Sequence, residues 1–272
     1  SLGVPCVIGA LGSDIHRPAG PVAWLTRRPL TQADAVITVS EAMRRTAITV
    51  FGVDPAAVHV VVNGVDRTVF RPMDRSAARR RLGVGETERL FVYVVRFIAG
   101  KGMGALVDAS RQLSAADPRF RLALVGDGVM RSALLAQVER AGLTGRVYLP
   151  GGLAPGQVAQ WIAASDVLAL PRWAEGYPNV VVEAIACGRP VVATDVGGTR
   201  EIVHAGNGIL IPPRDAAALR DGLARSLARD WDPDRLAAGM TRSWDDVAAE
   251  TRAICAAQLA HRRPHAVGGE GS

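Results

Sequence analysis

Short apolar runs alternate along this chain with stretches that repeat apolar residues every three or four positions. PCVIGAL, AVITVS and HVVVNGV come first, and LFVYVV, RLALVG, RVYLPG, DVLAL, PVVAT and GILIP follow. Each run is brief, rich in β-branched residues and bounded by Gly, Pro or polar residues, which is the pattern of a buried strand. The stretches between them predict helices over 22–32, 41–51, from about 103 onward, 129–141, 155–164, 215–229 and 243–260. Ser40 and Ser243 suit N-caps, and Gly52 closes the second helix. Strands that alternate with helices pair in parallel, so the chain is expected to be α/β and doubly wound.

One stretch organises the rest: EGYPNVVVEAIACGRPVVATDVGG, residues 175–198. It reads as loop, helix, turn, buried strand and Gly-rich loop. Pro178 suits a first helical turn, and Gly188 with Pro190 ends the helix. Val180, Val181 and Val182 favour a strand by propensity. A strand there would run directly into PVVAT with only Gly-Arg between, so helix is the better reading. Its N-terminus then offers free N–H groups to an anion such as phosphate. Glu175 and Glu183, eight positions apart, would flank it and accept hydrogen bonds from hydroxyl-rich groups. Hydroxyl binding fits these two carboxylates better than acid catalysis, since nothing near them in sequence points to a raised pKa.

Residues 64–86 mix Pro, Gly and charge and read as a linker, with a domain boundary near residue 70. The expected division is 1–70, the remnant of a first Rossmann-like domain; 71–242, a second; 243–260, a crossover helix; and 261–272, a disordered tail. The loops after LFVYVV, RLALVG, DVLAL and PVVAT all fall on the carboxyl edge of the second sheet, where such sheets bind ligands. The chain begins SLGVP and enters a strand almost at once, which predicts an incomplete N-terminal domain.

Composition narrows the setting. The 272 residues are 49% apolar, carry a formal charge of +6 and include three scattered cysteines. Three cysteines at such spacing make no disulfide framework and fit a reducing, cytoplasmic setting. The basic balance suits phosphate-rich partners or an anionic membrane face. No apolar run approaches the roughly 18 residues of a membrane span. Aromatic residues are 5% of the chain, and no stacking platform with interleaved cations is visible, so nucleic acid is not expected as a partner.

Several residues could carry chemistry. Arg96 and Lys101 follow LFVYVV, with Gly100 and Gly102 beside the lysine. A forked cation and a compact one can together neutralise a diphosphate, although solvated surface charges look the same in sequence. Gly126, Gly128, Gly197 and Gly198 mark tight turns at strand ends, where close approach to a ligand and simple turn geometry are alike. GDGVM does not fit G-x-G-x-x-G, and no Walker A loop occurs. His261 and His265 have Pro264 between them, so no helix aligns them for a metal. Cys187 reads as core.

At this point the motifs resemble a known family, the retaining glycosyltransferases of family 4 with the GT-B fold. RFIAGKG is similar to that family's diphosphate loop, GDG to its next turn, EGYPNVVVEAIACGRPVVATDVGG to its Glu-x(7)-Glu segment and VVNGVDRTVF to its interdomain linker. The resemblance implies a metal-independent transfer from a nucleotide sugar, UDP- or GDP-linked, to a glycan, lipid-linked or small acceptor. It implies that Arg96 and Lys101 hold the diphosphate and that Glu175 contacts the transferred sugar. Glu183 would hold the ribose hydroxyls. Backbone around Tyr177, Pro178 and Asn179 would meet phosphate or sugar, Gly126 would lie against the donor, and residues near Leu153 would line the base site. Gly12, Ser13 and Asp14 are acceptor-side candidates, with turn formation as their alternative role. Leu11 stands where many members have His, so no catalytic residue is assigned there. An epimerase or hydrolase of the same fold, and a chain that only binds nucleotide, are the competing readings.

Overall fold

The apolar runs form two all-parallel sheets, one in each of two units. The structure is a computed structural model and describes residues 4–12, 15 and 21–261. The first unit is Ser1–Val62 with Asp245–Ser272, and the second is Asn63–Trp244.

In the first unit β1 (Val7–Ala10), β2 (Ala35–Thr38) and β3 (Val58–Val60) pair in the order β1-β2-β3. Helices α1 (Pro21–Gln32) and α2 (Glu41–Thr49) connect them. Ser40 caps α2 as expected, its Oγ accepting from Met43 N at 3.2 Å. The last helix, Trp244–His261, half-buries Val247, Thr251, Ile254 and Gln258. That spacing is one helical stripe.

The second unit opens with α3 (Arg75–Leu82) and β4 (Arg89–Val94). It continues through α4 (Met103–Ala116), β5 (Phe120–Val125), α5 (Arg131–Arg140), β6 (Val147–Gly151), α6 (Pro155–Ala164) and β7 (Val167–Leu170). It ends with α7 (Asn179–Ala186), β8 (Val191–Thr194), α8 (Thr199–Ile202), β9 (Gly208–Ile211), α9 (Ala216–Ala228) and α10 (Pro233–Ala238). The strand order is β6-β5-β4-β7-β8-β9. From β4 the chain builds outward through β5 and β6, then returns to β4's other side with β7. The β4/β7 boundary is therefore the topological switch point, where a crevice opens beyond the strand ends. Strands β7 and β8 are buried at every position, which explains their unbroken apolar runs.

Three local readings need revision. The stretch 64–86 is no free linker: it contains α3, and Val65 and Phe70 join the core of the second unit. The division accordingly falls after Val62 rather than near residue 70. GGTREIV includes the short helix α8, and α10 was not anticipated. Residues 180–182 are helical despite their branching, because α7 buries all three valines.

Arg79 looks solvated in RSAARRRL but is fully buried. Its guanidinium donates to the carbonyls of Ala164 at 2.9 Å, Gly85 at 3.0 Å, Glu86 at 2.8 Å and Glu88 at 2.9 Å, and to Asp166 Oδ2 at 2.9 Å. Asp166 also accepts from Leu90 N at 2.7 Å, fixing the starts of β4 and β7 together. No helix among the described residues is long and apolar enough to cross a membrane.

Replacing Arg79 with Met should leave the four carbonyls without their donor and Asp166 with only Arg75 and Leu90 N. We expect a loss of about 3–5 kcal/mol in urea unfolding. A loss below about 1 kcal/mol would show that the buried guanidinium contributes little net stability.

Candidate functional site

The carboxyl ends of β4 and β7 carry the loops 95–102 and 171–178, and a close backbone approach joins them. Gly102 has φ +75, and a Cβ there would collide with the carbonyl oxygen of Pro171. Only glycine meets both demands. Just before it, the carbonyl of Lys101 accepts from the hydroxyl of Tyr93, a buried residue of β4. On the β7 side, Arg172 Nη1 meets Glu175 Oε2 at 2.6 Å, with side chains 13% and 18% exposed. Thr194, at the end of β8, donates its hydroxyl to the carbonyl of Arg172. The β8 loop closes the other flank. Gly197, with φ +51, lies against the carbonyl of Glu175, and Gly198 N donates to Gly176 O at 3.0 Å.

Four charged groups share this crevice. Burial, and next the Arg172 charge, lower the pKa of Lys101; Glu175 opposes them, and Arg96 adds to the lowering. Arg96, Lys101 and Glu175 are therefore brought together, and Arg172 joins them. Arg96 is exposed and Lys101 half-buried. The Tyr93 hydroxyl is raised, chiefly by burial, with Arg172 lowering it. Arg172 was missed in the sequence, although an arginine directly after a buried strand and a proline is a strong cue. A second cue also went unused: Lys101 is the one lysine in the sequence, every other cation being arginine. A cavity of about 360 Å³ lies beside it, lined in part by Gly100, Lys101, Met103, Met130, Leu134 and Trp173.

The remaining predicted residues are placed as follows. Gly126 directly follows β5 and donates its N–H to Gly151 O at 2.8 Å. Leu153 is half-buried against the core, in the loop after β6. Tyr177 is half-buried; burial, then the Glu201 charge, raise its hydroxyl. Pro178 is the N-cap residue of α7, and the exposed Asn179 accepts at Oδ1 from Asn63 Nδ2 at 2.7 Å. Gly12 belongs to the first unit, where its carbonyl accepts from Ile15 N at 3.1 Å, a turn contact. Ser13 and Asp14 lie outside the described residues. Among the described residues, no group of three or more His, Cys, Asp or Glu is placed to hold a metal ion.

Glu183 corrects the sequence reading. Its carboxyl is raised to about 7 by burial in α7. At neutral pH it is close to half protonated, so it can donate a hydrogen bond as well as accept. The cause is long-range packing, which nothing adjacent in sequence betrays.

Comparison with known proteins identifies the family and the fold. Residues 88–229 match the family model described as glycosyl transferases group 1, and residues 1–69 match that of glycosyltransferase family 4. The chain belongs to this glycosyltransferase family. Among its relatives is a D-inositol 3-phosphate glycosyltransferase from Nocardioides sp., 34% identical over 80% of this chain and 52% of the relative. Another, of the same name from Xylanimonas cellulosilytica, is 32% identical over 92% and 63%. The chain thus spans about half to two thirds of the length of these curated relatives. Sucrose-phosphate synthase from Thermosynechococcus elongatus is similar in structure at TM-score 0.76 and 27% identity, over 88% of this chain and 62% of that one. HepE from Anabaena, solved in complex with UDP-glucose, gives TM-score 0.75 at 27% identity, over 94% and 72%. These likenesses establish the GT-B type of fold.

The Glu183 shift has a consequence for stability. Between its ordinary value of 4.5 and about 7, the folded chain keeps a proton that the unfolded chain releases. Its contribution is therefore full below about 4.5 and lost as pH rises to about 7. Glu183→Gln should be more stable than the parent at pH 8, by up to roughly 3 kcal/mol, with the difference vanishing near pH 4. Melting temperatures of both forms across pH 4–8 check this; parallel curves would refute it.

Proposed function

We propose that this chain binds a nucleotide-diphosphate sugar in the β4/β7 crevice and transfers the sugar to an acceptor hydroxyl with retention of configuration. The supporting observation is the gathering of Arg96, Lys101 and Arg172 around Glu175 at the switch point. Three cations against one carboxylate suit an anion of more than one charge. Arg96 and Lys101 hold the diphosphate and stabilise the charge that builds on it as the glycosidic bond breaks. Glu175, steadied by Arg172, meets the hydroxyls of the transferred sugar. The N–H groups opening α7, near Tyr177, Pro178 and Asn179, face the phosphate or sugar. Glu183 takes the ribose hydroxyls, Leu153 lines the base site, and Gly126 keeps the β5 turn close to the donor.

The acceptor hydroxyl attacks the anomeric carbon from the side on which the diphosphate departs, so configuration is kept. Cationic side chains do the work a metal would do, and the transfer is metal-independent. UDP is the favoured nucleotide, since a structural neighbour was solved with UDP-glucose. The relatives named D-inositol 3-phosphate glycosyltransferase support a small phosphorylated polyol, beside a glycan or lipid-linked hydroxyl, as the acceptor class. A cytoplasmic site of action, with peripheral contact to an anionic membrane face, accords with the formal charge of +6.

Two measurements test this reading. In calorimetry with UDP, Lys101→Ala and Arg96→Ala should each weaken binding at least tenfold, or about 1.4 kcal/mol, with circular dichroism unchanged. Unchanged affinity in both would remove the assignment. Separately, an amine-directed acylating reagent has one side-chain target in this chain, Lys101. UDP should protect that site in peptide mapping, and full labelling under saturating UDP would place the nucleotide elsewhere.

A further inference from the structure

The amino edge of the same sheet holds a second cluster of cations that the donor crevice does not use. Asp166, just before β7, pairs with Arg79 at 2.9 Å and with Arg75. Arg189, which follows α7 and precedes β8, lies in the same field: burial, and next the Arg75 charge, lower its guanidinium to about 10, while Asp166 opposes. Two guanidiniums thus pair with one carboxylate, and a third lies within their electrostatic reach. Nearby Glu86 does not restore the balance, being held by Ser76 at 3.0 Å and Arg80 at 3.8 Å.

The hydrogen bonds divide these arginines. Arg79 is satisfied by four carbonyls and Asp166, so it is structural. Arg75 and Arg189 are different. The Nε atoms of both are buried with no hydrogen-bond partner among the described residues. The carbonyl end of α7 offers Arg189 the equivalent of about half a negative charge, which leaves the cluster positive. Buried guanidinium donors without acceptors are costly, and a tetrahedral oxyanion supplies acceptors in the geometry a guanidinium fork matches.

We propose that Arg75 and Arg189 form a binding site for a small phosphate-type oxyanion at the amino edge of the second unit's sheet. It lies at the opposite strand ends from the donor crevice, and its existence does not depend on the transferase reading. Asp166 keeps Arg75 oriented, and the surplus of guanidiniums over that one carboxylate favours ligands that carry negative charge. The buried Nε atoms set the site below the surface, which favours a free phosphate group over a lipid headgroup held at a bilayer.

The test uses the whole chain with Arg96→Ala and Lys101→Ala, so that phosphate has no claim on the carboxyl edge. Inorganic phosphate is titrated by calorimetry at constant ionic strength. Saturable binding with one site is expected. Adding Arg189→Met, or Arg75→Gln, should weaken it at least tenfold. Arg75 is 40% exposed, so its variant should fold even if the other does not. Arg140→Gln removes an equal charge from an exposed position on α5 and should change nothing. The proposal is overturned if phosphate gives no saturable heat, or if Arg140→Gln weakens binding as much as Arg75→Gln. It also fails if phosphate is silent while Arg75→Gln abolishes sedimentation with phosphatidylglycerol vesicles, since the anion would then be a headgroup.

Discussion

The site depends on one close contact, the backbone of Gly102 against the carbonyl of Pro171. Neighbouring parallel strands lie about 4.8 Å apart, but the loops beyond them normally splay. Here the β4 and β7 loops meet because position 102 has no side chain and a left-handed backbone. Lys101 stands on one side of that contact and Arg172 with Glu175 on the other. Any side chain at 102 would wedge the loops apart and separate the lysine from the ion pair. The charges therefore owe their proximity to a backbone constraint and not to their own attraction. Even a partly buried ion pair such as Arg172–Glu175 must offset its own desolvation before it can draw two loops together.

The same two strands are fastened at the other end by a different device. Asp166 accepts from Leu90 N and from Arg79, so the starts of β4 and β7 are tied through a carboxylate. The pairing of Phe91 with Val167 follows immediately, and register is set there. A slip of one residue would turn buried side chains to the opposite face, and both fastenings would be lost together. Preorganisation at the carboxyl edge is thus supported from the amino edge, about four residues of strand away.

Much of this architecture was legible in the sequence because it rests on local patterns. The apolar runs became strands in the second unit, and the segment 175–198 gave the loop, helix and strand it promised. Helix won over strand at Val180–Val182 because chain connectivity outweighed propensity. What escaped the sequence rests on packing between distant residues. Arg79 is indistinguishable in RSAARRRL from Arg80 and Arg81, yet it alone of the three is buried, by contacts to residues 85–88 and 164–166. Glu183 looked ordinary because its desolvation comes from the fold around α7. Arg172 and Glu175 are three apart, but what ties them to Lys101 is a strand crossover some seventy residues long. The single lysine, by contrast, is plain in the sequence, where every other basic side chain of this kind is arginine.

The two ends of the β4/β7 pair carry the same charge ratio and use it differently. Arg96, Lys101 and Arg172 stand against Glu175 at one end; Arg75, Arg79 and Arg189 stand against Asp166 at the other. Like charges this close repel, and partial burial strengthens the repulsion by lowering the effective dielectric. At the amino end Arg79 is neutralised in effect by four carbonyl dipoles, so that part of the cluster is complete without a ligand. At the carboxyl end, burial and two neighbouring arginines drive the Lys101 pKa down, with Glu175 opposing. A half-buried lysine beside two arginines gains more from an arriving anion than a solvated lysine would, because the anion relieves the repulsion in a medium of lower dielectric. The two ends thus differ in how their surplus of positive charge is met: by carbonyl dipoles around Arg79 at one, and by Glu175 alone at the other.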